Sequence, residues 1–381
     1  MQPAPLSANT PLLGTRLTRR QSMVLGGAWL AGVQSAAQAL PAQALQFPRD
    51  HGSHPGLRTE WWYITGYAHA AGTLWGFQVT FFRSRVEATQ NLQSAFAAKQ
   101  LLLAHAAITD VQGQRLHHDQ RIARASMGLA HASEADTAIH LHQWRLQRST
   151  PPGQPKASRY TAQIEGAQLG LQLQFDTTQD LLLQGQQGLS RKGPDAAQAS
   201  YYYSQPQLAV SGSLLLQGKR MPIAPHSPST PARAWMDHEW SEALLHPDAQ
   251  GWDWIGMNLH DGSALTAFRL RRADGSSLWA GGSFRSPGQP PQIFAPDAVI
   301  FTPQRWWTSP HTNAHYPVQW QVQTPAGSFE VHALLDAQEL DSRASTDAIY
   351  WEGLSALHGP QSKEVGMGYL EMTGYVQALR L

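Results

Sequence analysis

From Glu60 the chain reads EWWYITGYAHAAGTLWGFQVTFFRSR, two runs of β-branched and aromatic residues flanking Ala71-Gly72-Thr73. Runs of this kind fit a pleated, half-buried surface, and the glycine-containing break fits a hairpin turn. The same pattern predicts strands at Leu101–Thr109, Thr137–Leu146, Tyr160–Ile164, Gly170–Phe175 and Tyr201–Gln217. Farther on it predicts them at Gly256–His260, Ala264–Arg271, Leu278–Phe284, Val318–Thr324, Ser328–Leu335 and Gly366–Val376. Short strands at close intervals, broken by Gly, Pro or Asp, are the pattern of a barrel or sandwich. Long amphipathic helices are missing, and only Ser94–Lys99 suggests a helical turn or two. The chain is predicted to be all-β.

Between the two groups of strands, GKRMPIAPHSPSTPAR (Gly218–Arg233) carries Pro222, Pro225, Pro228 and Pro231. Proline removes the ladder donor, so this stretch is predicted as a linker. The halves on either side echo each other. Glu60-Trp61 opens a hairpin whose second strand ends in Phe82-Arg83, and Asp253-Trp254 opens one whose second strand ends in Phe268-Arg269. That echo suggests duplication of one β unit.

The N-terminus has a different character. A polar start ends in Thr18-Arg19-Arg20, an apolar stretch of small residues follows from Met23 to Ala37, and Ala37-Gln38-Ala39 and Ala42-Gln43-Ala44 offer cleavage sites. The apolar stretch is short for a bilayer span and fits a secretory signal over residues 1–44, with the arginine pair resembling a twin-arginine signal. The mature chain, without a membrane span, is expected to be periplasmic or secreted.

Composition narrows the function. Charged residues are 14% of the 381-residue chain and the net charge is +1, with no basic block to displace counterions from a nucleic acid. With no cysteine, thiol catalysis, disulfides and Cys-ligated metals are excluded. No nucleophile elbow or dinucleotide-binding glycine pattern is present, and Gly212–Lys219 departs from a phosphate loop in spacing and in its last residue. His238-Glu239 lacks the second histidine of a zincin helix, and His311 and His315 read as loop residues between Pro310 and Pro317. Neither a metal nor a cofactor is expected.

The excess lies in tryptophan, 14 in all, and it gathers around acids. In Glu60-Trp61-Trp62-Tyr63, Glu60 and Trp62 share one strand face while Trp61 and Tyr63 share the other. The cluster could line a ligand pocket, or pack a core with Glu60 paired to Arg83 across the hairpin. In Trp235-Met236-Asp237-His238-Glu239-Trp240, Asp237 and Glu239 point one way, His238 and Trp240 the other. A carboxylate beside apolar rings has a raised pKa and can donate a proton near neutral pH, which makes Asp237, His238 and Glu239 candidate catalytic residues. The alternative is a buried polar network beside the linker. Trp252-Asp253-Trp254 holds a further acid between indoles, either catalytic or structural. Tyr350-Trp351-Glu352-Gly353 repeats the theme, and Tyr369, Glu371 and Thr373 are predicted on one face of a closing strand.

Taken together, EWWYITG with its preceding histidine, AWMDHEW, GWDW and the terminal GYLEMTGY resemble the carotenoid 1,2-hydratase family. That family also includes kievitone-hydratase-like and secreted lipocalin-like proteins, and the resemblance runs from about His51 to Tyr375. It implies two consecutive lipocalin-like antiparallel β-barrels, placed by the linker at 45–228 and 229–381. It also implies cofactor-free addition of water to an isoprenoid or other apolar alkene. Asp237 or Asp253 would then be the acid, His238 the water-side base, and Trp240, Trp252 and Trp254 the walls that stabilise a carbocation. Glu60, Trp61 and Trp62 would contact ligand. The alternative function is a non-enzymatic periplasmic carrier of a hydrophobic ligand, associated with an ABC transport system.

Overall fold

The computed structural model describes residues 39–243 and 245–379. Most of the predicted export signal lies outside them. Nine strands position the site: β1 (Thr59–Ala70), β2 (Thr73–Arg85), β3 (Gln100–Asp110), β4 (Ala199–Leu216), β5 (Arg233–Ala243), β6 (Gly251–Leu259), β7 (Ala264–Arg271), β8 (Ile349–His358) and β9 (Glu364–Met372). The β1–β2 hairpin turns on Ala71 and Gly72, both at positive φ, the two-residue turn that suits the strand twist.

Two antiparallel sheets result. The first runs from Arg115–Arg124 through β3, β2, β1, β5 and β4 to Leu169–Asp176, and on through three more strands to Ala130–Ala132. It curls into a nearly closed barrel. The second runs from Ser277–Arg285 through β7, β6, β9 and β8 to Gly327–Ala333, and continues to Ile300–Thr308 as a half-barrel. The all-β expectation and the two barrel-like units are as predicted, the second unit being only half closed. Among the described residues no helix is long and apolar enough to cross a membrane.

The linker expectation needs correcting. Lys219–Pro222 is a short strand on β4, and β5, beyond the last proline, returns to the first sheet between β1 and β4. The chain therefore passes to the second sheet after Ala243, and the boundary at 228/229 separates β5 from its own sheet. The prolines mark a loop within one unit. Ser94–Lys99 forms no helix: so short a segment has too few hydrogen bonds to offset its ordering entropy, and Phe96 is exposed. Ile300–Thr308, with Pro303 in its middle, is a strand that sequence reasoning missed. It lies at the sheet edge, where a missing donor faces no partner. His315 opens the strand paired with it and is not a loop residue.

Each unit has its own core. Ile64, Phe77, Val79 and Phe81 pack inside the first, and Ile255, Met257, Trp320 and Trp351 inside the second. A third apolar cluster joins the outer faces of the two sheets, with Tyr63, Tyr67 and Trp235 meeting Trp254, Phe268 and Tyr369. Tyr63 and Trp235 both meet Trp254 edge-on, with ring centroids 5.4 and 6.3 Å away. Such pairs contribute about 1 kcal/mol each beyond the area they bury. The approach needs a glycine: a Cβ on Gly256 would stand 2.3 Å from the Trp254 ring and 3.2 Å from Trp235. Hydrogen bonds fix the seam too, with Gln207 donating to the carbonyls of Leu259 and Ser263. The residues from 38 onward form a single compact unit.

Candidate functional site: an acidic, indole-lined cavity between the two sheets

Strand alternation decides which side chains reach the seam. In the β1–β5 ladder Tyr63 pairs with Asp237 and Trp61 with Glu239, so these four share the outer face of the first sheet. β4 adds Tyr202 and Ser204, which pair with Glu239 and Asp237. In the second sheet Trp254 pairs with Glu371, and Glu371 with Glu352. The two faces enclose a cavity of about 280 Å³. Trp61, Tyr63, Phe82, Trp252, Trp254 and Phe268 supply its apolar walls, and five acids line it: Glu60, Asp237, Glu239, Glu352 and Glu371.

These acids differ in their surroundings. Glu239 takes a hydrogen bond from Ser200 and lies 3.0 Å from the Lys192 ammonium. That ammonium sits 4.4 Å from the ring centres of both Tyr202 and Phe268. Asp237 accepts hydrogen bonds from Ser204 (2.6 Å), Trp235 Nε1 (2.7 Å) and Tyr202 (2.8 Å). Burial nevertheless outweighs these donors and raises its pKa to about 7. Glu371 is pushed up to about 8, chiefly by burial, with Asp237 and Glu239 adding repulsion. Glu352 is raised well above the carboxylate range by burial and then by Glu371 across the ladder, and among the described residues neither of its oxygens has a hydrogen-bond partner. Two carboxyls directly opposite each other in a desolvated sheet face cannot both ionise at neutral pH. The cavity therefore holds protonated acid beside indole faces.

A family model described as AttH-like matches residues 38–375. The chain belongs to the AttH-like family. A crystal structure of a provisional AttH from Nitrosomonas europaea is similar at 43% identity and a TM-score of 0.80, covering 90% of this chain and all of that one. Kievitone hydratase from Nectria haematococca shares the fold at 15% identity and a TM-score of 0.64, over 90% of this chain and 97% of that one. CghA does so at 11% identity and a TM-score of 0.52, over 85% and 90%. No curated protein matches the sequence.

In this AttH-like chain the residues singled out from sequence part company. Asp237, Glu239, Trp61, Trp252 and Trp254 line the cavity. His238, on the opposite face of β5, points into the first barrel and cannot serve as base in the seam. Its ring stacks on Trp62, 4.6 Å between centroids. Trp240 also faces inward and stacks on His54 at 3.9 Å, so neither Trp62 nor Trp240 is a cavity wall. Glu60 borders the cavity, but its carboxylate is engaged by Arg83 (2.7 Å), the pair predicted across the hairpin, and by His238 and His54. Asp253 is likewise turned inward. It pairs with Arg269 at 2.8 Å and accepts a hydrogen bond from Tyr375 at 2.8 Å, so it is no proton donor for the seam.

Glu352 and Glu371 are the acids that sequence reasoning noticed without assigning. The parity of Tyr369, Glu371 and Thr373 was read correctly, but only the pairing with β6 and β8 shows where that face looks. Lys192 and His105 were missed, since neither stands in an aromatic motif. His105 hydrogen-bonds Tyr350 and Ser345, each at 2.8 Å, and burial lowers its pKa to about 3.

Proposed function

We propose that the seam cavity adds water to a terminal double bond of an isoprenoid or similar apolar alkene by acid catalysis. The observation that carries this reading is the Glu352–Glu371 pair, protonated at neutral pH among indole and phenol rings. In the proposed step the Glu371 or Glu352 carboxyl gives its proton to the less substituted alkene carbon, leaving a tertiary cation. The Trp254, Trp252 and Trp61 faces stabilise that charge through their quadrupoles. Water adds to the cation and yields its proton to Asp237, whose pKa near neutrality suits a base. A proton passing back from Asp237 to the carboxylate closes the cycle, and alkene plus water has become an alcohol.

Support comes also from the cavity's character: it is mostly apolar, and its volume sits near the lower end of ligand pockets, roughly 300–1,000 Å³. It suits the end of an isoprenoid chain better than a whole carotenoid. Hydration is the activity in the name of one relative in fold, the kievitone hydratase. The export signal read from the sequence extends the proposal: the substrate would be met in the periplasm, beside an ABC transport system.

The test is incubation of the chain lacking residues 1–44 with acyclic terpenes in water labelled with heavy oxygen, followed by mass spectrometry of the extract and of the native protein. Labelled tertiary alcohol, lost in Glu371→Gln and Glu352→Gln, is the expected result. Unchanged alkene travelling with the protein would overturn hydration and make the cavity a carrier site.

A further inference from the structure

On the inner face of β1 and β5 three potential ligand atoms converge: His54 Nδ1, Glu60 Oε1 and His238 Nε2, all within 4.8 Å of one another. Glu60 Oε1 is 2.7 Å from the first nitrogen and 3.0 Å from the second. Two histidines and a carboxylate are a common donor set for a zinc-class ion.

The atoms behind these three are held as metal ligands usually are. His54 Nε2 lies 3.2 Å from Asp50 Oδ1, a carboxylate–histidine arrangement that turns Nδ1 toward the centre. His238 Nδ1 lies 3.1 Å from the Tyr203 hydroxyl, which is itself 2.8 Å from His51 Nδ1. The second oxygen of Glu60 accepts from Arg83 Nε (2.7 Å), Ser53 Oγ (2.9 Å) and the His54 backbone N–H (2.9 Å), while Oε1 takes only a longer branch of that N–H (3.1 Å) besides the two imidazoles. Stacking fixes both rings, His54 on Trp240 and His238 on Trp62.

The hydroxyl chain leaves a ligand atom free on His238: with Nδ1–H donating to Tyr203 and Tyr203 donating to His51, Nε2 keeps its lone pair for an ion. Tetrahedral bonds of about 2.0–2.1 Å set ligand atoms about 3.4 Å apart, so Glu60 Oε1 would draw back by roughly 0.4–0.7 Å from the two nitrogens as the ion enters.

We propose that His54, Glu60 and His238 bind one divalent ion of the zinc class, which clamps the entry segment Arg49–His54 onto β1 and β5. The site shares no residue with the acids assigned to hydration, although Glu60 borders the cavity, so metal binding and turnover are read separately. The test is titration of metal-free, untagged protein with Co²⁺, followed by displacement with Zn²⁺. One equivalent with the visible bands of imidazole-bound cobalt, bleached by Zn²⁺ and accompanied by a rise in melting temperature, is expected. His54→Asn should abolish that equivalent. Asp50→Asn should weaken it 10–100-fold with the fold intact, as removal of an outer partner does. No cobalt spectrum in the unmodified protein would overturn the site, as would an equivalent that survives His54→Asn. If His54→Asn does not fold, unchanged affinity in Asp50→Asn overturns it.

Discussion

Replacing Glu371 by glutamine tests the chemistry and the electrostatics together. Its half-buried side chain lines the cavity, and desolvation there moves its pKa from 4.5 to about 8. The unfolded chain releases this proton above about pH 4.5, whereas the folded chain keeps it until about pH 8. Between those values the unfolded state binds fewer protons, so the contribution of this group to stability falls as pH rises and levels off above pH 8. At about 1.4 kcal/mol per unit, ionisation favours the unfolded state by about 3 kcal/mol at pH 7 and by under about 1 kcal/mol at pH 5. Glutamine has the shape of the protonated acid and no charge to release. Glu371→Gln should therefore be more stable than the parent by about 3 kcal/mol at pH 7, or about 4 °C in melting temperature for a chain of this size. The two should nearly coincide at pH 5. Thermal unfolding across pH 5–8, with hydration measured in parallel, reads both halves: stability gained, turnover lost. A variant less stable than the parent at pH 7, or a difference that does not change with pH, would refute the reasoning, because Glu371 would then be a well-solvated or paired carboxylate.

Other expectations concern the same seam and its neighbours. The rate of hydration should peak between about pH 7 and pH 8, rising as Asp237 loses its proton and falling as Glu371 loses its own; a pH–rate profile checks this, and its two limbs report the coupled acids together. Trp254→Leu, which keeps the wall apolar but removes the quadrupole facing the cation, should slow turnover roughly 30-fold, corresponding to about 2 kcal/mol, with ligand retention little changed in a binding assay. Asp253→Ala strands Arg269 inside the second unit and should cost about 3–5 kcal/mol in denaturant unfolding, while activity per folded molecule stays at the parent's level.

How much of this was readable in the sequence depended on whether a strand's partners mattered. The β1–β2 hairpin, its turn and the Glu60–Arg83 pair were all readable, because they involve neighbours along one ribbon. The echo in the second half was also sound: Asp253 pairs with Arg269 as Glu60 pairs with Arg83, acid inward in both, with Trp61 and Trp254 outward. The place of β5 was not readable. Four prolines resemble a domain linker whether the next strand goes on to a new sheet or returns to the old one, and long-range pairing with β1 and β4 decided it.

The same limit explains why acid–indole motifs were only half informative. Adjacent residues in a strand face opposite ways, so each motif places either its acid or its indole at the seam, and never both from neighbouring positions. β6 offers Trp252 and Trp254 and withdraws Asp253; β5 offers Asp237 and Glu239 and withdraws His238 and Trp240. An acid reaches the indoles of β6 only from another strand whose parity matches. The register Trp254–Glu371–Glu352 provides it, bringing residues from β6, β9 and β8 into one row. A site assembled this way belongs to the contact between two units, each with its own apolar core. Duplicated barrels can thus hold charge-bearing chemistry in the seam while their interiors keep their ion pairs and packing, and substitutions inside either barrel should register as stability while those at the seam register as turnover.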